Sequence, residues 1–308
     1  MKRCHLGGVT FLLALAGLMP SALLAQSEQA THVIMVQVGD AYRSVQLHIP
    51  TGHDGETPLP LVFNLHGTGG STERQEFLTG MSAVADEERF LVAGGMAKYI
   101  FPDGRMAGDV TWNVNLVPDG VNDVDYFLAA IDAVDRKVPV DRKRVYVTGF
   151  SGGGRMSSRL ACELSDRIAA VAPVSGVQFP DDCLPVRQIP IITLHGVMDP
   201  LNTYHGAADL ERNSSWVMGV ETAVAKWAGN NGCGSQAIAE KITGEITRFS
   251  YQNCTDGGDV TLYRIGNGGH TWPGSPTAEL RPARAGITNM DINASRVIWE
   301  FFEAHPLP

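Results

Sequence analysis

The chain has 308 residues, of which 44% are hydrophobic and 19% charged, with a formal net charge of −9. Such a hydrophobic share can build a large buried core and excludes a chain that stays disordered for want of apolar surface. The acidic balance argues against a nucleic-acid partner, which calls for a basic face, and predicts that an acidic group on a polyanionic substrate is repelled.

Met1-Lys2-Arg3 is a positive start, residues 9–19 are an apolar run, and residues 20–25 lead to a small residue, the pattern of a signal peptide cleaved after Ala25. The run is too short to span a membrane. Residues 26–308 are therefore expected to form a single domain, secreted or periplasmic, with no membrane anchor. A hairpin is predicted from strands at 32–38 and 44–49 around Gly39-Asp40, followed by an apolar strand from Leu61 and another near 90–94. A helix is predicted over 122–137, with Val121, Val124, Leu128, Ile131 and Val134 on one stripe. Asp123 and Asp125 near its start and Arg136 and Lys137 near its end suit the helix dipole.

A β-branched strand then runs from Arg144 directly into Gly149-x-Ser151-x-Gly153, and helix-compatible residues follow from Arg155 to Cys162. This is the pattern of a nucleophile elbow, in which a sharp turn pushes the serine out of the sheet and glycines on either side avoid collisions. Beyond it come a strand at 168–172, a buried strand at 189–196, a helix at 215–227, a strand at 260–265 and a final helix at 291–305. Alternating strands and helices imply a mostly parallel sheet covered on both faces, with ligands at the carboxyl ends of the strands. No segment is long enough for a large lid, which suits bulky or polymeric substrates.

A serine hydroxyl is a weak nucleophile at neutral pH and needs a base and a group that orients the base. Asp199 follows the 189–196 strand within a turn and His270 follows the 260–265 strand. The order Ser151, Asp199, His270, each just past a strand, matches the α/β-hydrolase arrangement. The bland readings are a turn cap for Asp199 before Pro200 and a surface loop residue for His270 among glycines. His66 and His195, both in Leu-His-Gly at strand ends, read as buried hydrogen-bonded histidines.

Two backbone N–H groups should form the oxyanion hole, one on Gly152 and the other on Thr68 in the glycine-rich loop after the Leu61 strand. No Lys-Ser or Lys-Thr follows those glycines and no GxGxxG fits, so a nucleotide cofactor is disfavoured and no cofactor is expected. Four cysteines remain after the leader, which allows three disulfide connectivities. Pairing of neighbours is expected, Cys162 with Cys183 and Cys233 with Cys254, in preference to a metal site, for which no CxxC or HExxH exists. Trp112 and Trp272 are candidate substrate-binding residues, an aromatic wall for a phenolic or polyester acyl group, against the alternative that both are core.

Four stretches, Leu65-His-Gly-Thr-Gly-Gly70, Asp141-Arg-Lys-Arg-Val-Tyr-Val-Thr-Gly-Phe-Ser151, Trp227-Ala-Gly-Asn-Asn-Gly-Cys233 and Gly268-Gly-His-Thr-Trp-Pro-Gly274, resemble secreted esterases grouped with polyhydroxybutyrate depolymerases and feruloyl esterases. The likeness runs from about Val45 to His305. It implies an α/β-hydrolase fold, with Ser151 as nucleophile, Asp199 as orienting acid and His270 as base. Arg155 departs from the pattern, where a small residue is expected, and should affect the rim of the site. The implied activity is hydrolysis of hydroxyalkanoate or feruloyl esters, small or polymeric. A serine peptidase, an acetylxylan esterase and an inactive polymer-binding protein are the alternatives.

Overall fold

The computed structural model describes Met1 and residues 31–100, 108–118, 121–207 and 216–308. Apart from Met1, the expected signal peptide lies outside the described residues, as does the expected helix start at 215. In chain order the elements are β1 His32–Val38, β2 Ala41–His48, β3 Leu59–Leu65, α1 Thr72–Thr79, α2 Met81–Glu88, β4 Leu91–Gly95 and the short β5 Tyr99–Ile100 and β6 Val110–Thr111. Then come α3 Asp123–Lys137, β7 Val140–Phe150, α4 Gly152–Glu163, β8 Ala170–Val174 and β9 Ile191–Gly196. The chain closes with α5 Val220–Asn230, β10 Ala237–Lys241, β11 Ile246–Tyr251, β12 Val260–Ile265 and α6 Ala294–Glu303.

Ten of the described strands form one sheet in the order β1-β2-β4-β3-β7-β8-β9-β12-β11-β10. The centre, from β4 to β12, is parallel, and antiparallel strands extend it at both edges. The parallel strands are buried throughout β3, β4, β8 and β9, since helices cover both faces. One face is packed by Tyr126 and Phe127 of α3, Met156 and Leu160 of α4 and Val224 and Trp227 of α5. The other is packed by Leu78 of α1, Met81 and Val84 of α2, and Ile298, Trp299 and Phe302 of α6. Trp299 stacks on Phe90 at 4.1 Å and Phe302 on Tyr146 at 4.7 Å, so truncating either to alanine should cost about 3–5 kcal/mol.

The mostly parallel sheet with helices on both faces is as expected; details differ. The buried face of α3 is centred on Tyr126, Phe127, Ala130, Ile131 and Val134, while Val124 and Leu128 are only half-buried. Asp123 and Asp125 lie in the first turn of α3 and Arg136 and Lys137 in its last, as expected, but Asp123 is fully buried and paired with Arg43 at 2.6 Å, and its other oxygen accepts from the Asn113 N–H. Helices α1 and α2 escape the sequence reading because each has eight residues and α1 has almost no apolar face, with Gly80 in left-handed backbone breaking the pair. The antiparallel β10 and β11 escape it because their side chains are largely exposed or half-buried, which removes the apolar run that marks a buried strand.

Both neighbour disulfides are present, Cys162–Cys183 and Cys233–Cys254, each spanning 21 residues of chain. The first fastens the end of α4 to the loop after β8, and the second fastens the segment after α5 to the loop before β12; each contributes roughly 3 kcal/mol in the loop-closure account. Among the described residues no helix is long and apolar enough to cross a membrane.

Candidate active site

Strand β7 ends at Phe150 and α4 begins at Gly152, leaving Ser151 alone to reverse the chain, with φ 55° and ψ −113°. A residue other than glycine rarely holds a positive φ, and such strain concentrates at functional sites. The turn stays this tight because its neighbours have no side chains. A Cβ on Gly149 would lie 2.5 Å from the Gly153 carbonyl carbon, and one on Gly153 would lie 2.2 Å from the Leu65 carbonyl oxygen. The Ser151 N–H donates to Val174 O at 2.9 Å, tying the apex to β8.

The loops after β9 and β12 bring Asp199 and His270 together across 71 positions of sequence. His270 Nδ1 donates to Asp199 Oδ2 at 2.7 Å, while Asp199 Oδ1 accepts from the N–H groups of Leu201 and Asn202, each at 2.8 Å. His195 Nε2 lies 3.4 Å from Asp199 Oδ2 and donates to the Asn202 carbonyl at 2.8 Å. Burial alone would raise the Asp199 carboxyl, but the hydrogen bonds from His195 and His270 outweigh it and hold the group well below the usual carboxylate range. Burial likewise pushes His270 below the ordinary histidine value of 6.5, the Asp199 carboxylate offsetting this only in part. The result at neutral pH is an anchored carboxylate and a neutral imidazole whose Nε2 keeps its lone pair.

Ser151 and His270 line the same cleft of about 290 Å³, with the His66–Gly70 loop on one side and Arg281–Ala285 on the other. Cavities of about 350 Å³ and 460 Å³ elsewhere touch none of Ser151, Asp199 or His270. Thr68 and Gly152 meet beside Ser151. A Cβ built on Gly152 would come within 3.0 Å of the Thr68 amide nitrogen, and neither amide has a hydrogen-bond acceptor among the described residues. Two adjacent unsatisfied N–H groups beside a serine are what a developing oxyanion needs.

Arg155 is not a rim residue. It is buried, its Nη2 donates to the Thr68 hydroxyl at 3.3 Å, and that hydroxyl also contacts Thr111 Oγ1 at 2.9 Å. Burial pushes its guanidinium down to about 10. The departure seen in the sequence therefore buttresses the Thr68 loop from behind. His66 and His195 are buried and hydrogen-bonded; His66 Nδ1 donates to Gly67 O at 2.7 Å and its Nε2 accepts from the Ala97 N–H at 3.0 Å. Arg281, which the sequence reading passed over, donates from Nη2 to the His270 carbonyl at 3.1 Å. So do the amides of Leu201 and Asn202 escape it, because backbone donors carry no residue signature.

The aromatic wall expected from Trp112 and Trp272 is corrected by the structure. Trp112 is 1% exposed and Trp272 is 0% exposed, and neither lines the cleft. Trp112 Nε1 donates to the His66 carbonyl at 2.8 Å and its ring packs on Phe127, so it backs the loop after β3. Trp272 Nε1 donates to Ser295 Oγ at 3.1 Å, which in turn donates to the Thr79 carbonyl at 2.7 Å. Trp272 thus fastens the His270 loop to α6 and α1. Trp272→Ala should lower stability by about 3–5 kcal/mol and reduce turnover of aromatic and acetate esters by the same factor. Thermal melting and a ratio of the two kcat/KM values check this; a selective loss on the aromatic ester would contradict a purely supporting role.

A serine on a strained strand-to-helix turn, sharing a cleft with a carboxylate-bound histidine at the carboxyl ends of a parallel sheet, defines an α/β-hydrolase. The family described as Phospholipase/Carboxylesterase matches residues 53–221. Putative esterase NocK of Nocardia uniformis subsp. tsuyamanensis is 31% identical over 289 residues, which cover 86% of this chain and 80% of that protein. Feruloyl esterase B of Piromyces equi is 30% identical over 236 residues, covering 74% of this chain but only 42% of that protein's length. The acetyl xylan esterase from Aspergillus awamori superposes with a TM-score of 0.57 over 85% of this chain and 94% of that one, at 14% identity, a likeness of fold alone. The chain belongs to the phospholipase/carboxylesterase family of α/β-hydrolases and is a carboxylic ester hydrolase.

Proposed function

We propose that the protein is an exported serine esterase that cleaves feruloyl-type aryl esters or hydroxyalkanoate esters through Ser151, His270 and Asp199. The observation that carries the reading is the cleft shared by strained Ser151 and by a His270 whose Nδ1 is committed to Asp199 at 2.7 Å. Ser151 Oγ attacks the ester carbonyl as His270 Nε2 takes its proton. The negative charge that develops on the carbonyl oxygen is met by the N–H groups of Thr68 and Gly152. Collapse of the tetrahedral intermediate expels the alcohol, which receives the proton from Nε2 and leaves an acyl-Ser151. A water molecule, deprotonated by the same nitrogen, then releases the acid and restores the serine. Asp199 stays ionised throughout and stabilises the imidazolium.

The substrate class rests on the likeness to feruloyl esterases and on an apolar side of the cleft formed by Leu78, Phe150 and Leu201. Export rests on the leader-like residues 1–25 and on the two disulfides, which persist in oxidising compartments. Methyl ferulate, acetylated xylan, hydroxybutyrate oligomers and amorphous polyhydroxybutyrate, assayed side by side, test the substrate class. Turnover of methyl ferulate or of the oligomers is expected; activity confined to acetylated xylan or to a peptide amide would overturn it.

The pH dependence follows from the direction of the His270 shift. Only neutral His270 accepts the serine proton, and its affinity for a proton is lowered by burial. The acid limb of kcat/KM should therefore fall below pH 6.5, the ordinary histidine value, with activity rising through it and level above it. A limb displaced above that value would point to a different base.

A further inference from the structure

The chain carries 33 acidic and 24 basic side chains, yet the cleft at Ser151 has the opposite sign. Among its described lining residues are Arg74, Arg281 and Arg284 and no acidic side chain. Asp109 approaches the loop at Gly69 but is not part of the lining. Several arginines elsewhere are paired with carboxylates, Arg43 with Asp123, Arg142 with Asp132 and Asp135, Arg144 with Asp141, and Arg159 with Glu163 and Asp182, whereas Arg187 is held by backbone carbonyls. Among the described residues Arg74, Arg281 and Arg284 form no ion pair. Arg281 is half-buried, its guanidinium 5.4 Å from the Phe150 ring, and its Nε is buried with no hydrogen-bond partner among the described residues. Burial, and then the like charge of Arg284, weaken its hold on its proton. A half-buried cation whose charged neighbour is another cation, and whose Nε lacks an acceptor among the described residues, favours an anion coming to it.

The position of the two nearer arginines says which part of an ester would bear that anion. Arg281 donates to the His270 carbonyl, and the His270 N–H donates to the carbonyl of Ala285, next to Arg284. Both thus flank His270, the group that protonates the departing alcohol. The geometry points to an ester whose alcohol part carries an oxyanion, a carboxylate or a phosphate, held by Arg281, Arg284 and Arg74 while its carbonyl lies at Ser151. This inference rests on the proposed roles of Ser151 and His270. It reverses, locally, the repulsion expected from the net charge, because carboxylates more than about 8–10 Å away are screened by salt while three guanidinium groups at the mouth are not.

Two matched pairs of esters test it on the whole protein: 3-butyryloxybutyrate with its methyl ester, and 1-butyrylglycerol 3-phosphate with 1-butyrylglycerol. At low ionic strength kcat/KM should be about tenfold higher for the anionic member of at least one pair, the scale of a charge-assisted contact, and the advantage should shrink as salt is added. The pair with the larger advantage identifies the carboxylate or the phosphate. Arg284→Gln, and separately Arg74→Gln, should lower turnover of the anionic ester at least threefold more than that of its neutral partner; both sites are exposed, so the fold should survive. Faster cleavage of the neutral member in both pairs, or a preference that persists when Arg74→Gln and Arg284→Gln are combined in one chain, overturns the inference. If Ser151→Ala then abolishes cleavage of the neutral esters, the proposed mechanism stands without it. Neutral-ester cleavage that survives Ser151→Ala overturns both.

Discussion

Ser151→Ala is expected to lower kcat for ester hydrolysis by roughly 10⁵- to 10⁶-fold while leaving the fold intact. The hydroxyl oxygen is the only heavy atom lost, and in the proposed mechanism the attack, the acyl intermediate and the proton transfer to His270 all depend on it. What survives comes from the Thr68 and Gly152 amides and from binding of the ester, which together still exceed the uncatalysed rate. The backbone should not react: alanine meets the same strain at φ 55° that serine does, and the turn is held by the Ser151 N–H bond to Val174 and by Gly149 and Gly153. A fluorophosphonate should label the native protein at Ser151 alone and the variant not at all, as read by peptide mapping. A folded variant with substantial turnover, or label at another residue, would sink the assignment.

The second large effect is Asp199→Asn, for which a loss of about 10⁴-fold in kcat is expected. Asp199 Oδ1 accepts from two backbone N–H groups at 2.8 Å, so an asparagine must place its carbonyl oxygen there. Its NH₂ then faces His270 Nδ1. That nitrogen would become an acceptor, moving the imidazole proton to Nε2, where the base needs a lone pair. The amide would also face the Nε2–H of His195, which in the native protein points at both Asp199 and the Asn202 carbonyl. Near-native melting with the activity lost would identify the tautomer as the cause. Activity within tenfold of wild type would mean that Asp199 only caps its turn.

Most of the candidate site was legible because its signals are short and contiguous. A β-branched strand, a glycine-flanked serine and a helix occupy adjacent positions, so the local backbone is dictated by residues a few places apart. Asp199 and His270 were legible for a different reason: in a parallel sheet, residues just beyond the carboxyl ends of strands converge on one edge whatever their separation in sequence. The disulfide pairing was one of three open possibilities, and it was decided by packing of the end of α4 on the loop after β8 and of the segment after α5 on the loop before β12.

The residues themselves determined the α/β alternation, the elbow, the order of the three polar groups and the glycine-rich loop beside them, since each depends on backbone preference or apolar periodicity over a short span. Tertiary structure alone decided that Trp112 and Trp272 are struts, that Arg155 braces Thr68, that Asp123 is neutralised by Arg43, and that Arg74, Arg281 and Arg284 crowd one cleft in an acidic protein. Exposure and local charge depend on which distant segments pack against a side chain. A tryptophan two positions from a candidate base reads the same whether it faces substrate or α6, and three arginines on two distant segments become one field only when the sheet brings α1 and the Arg281–Ala285 segment to the same edge.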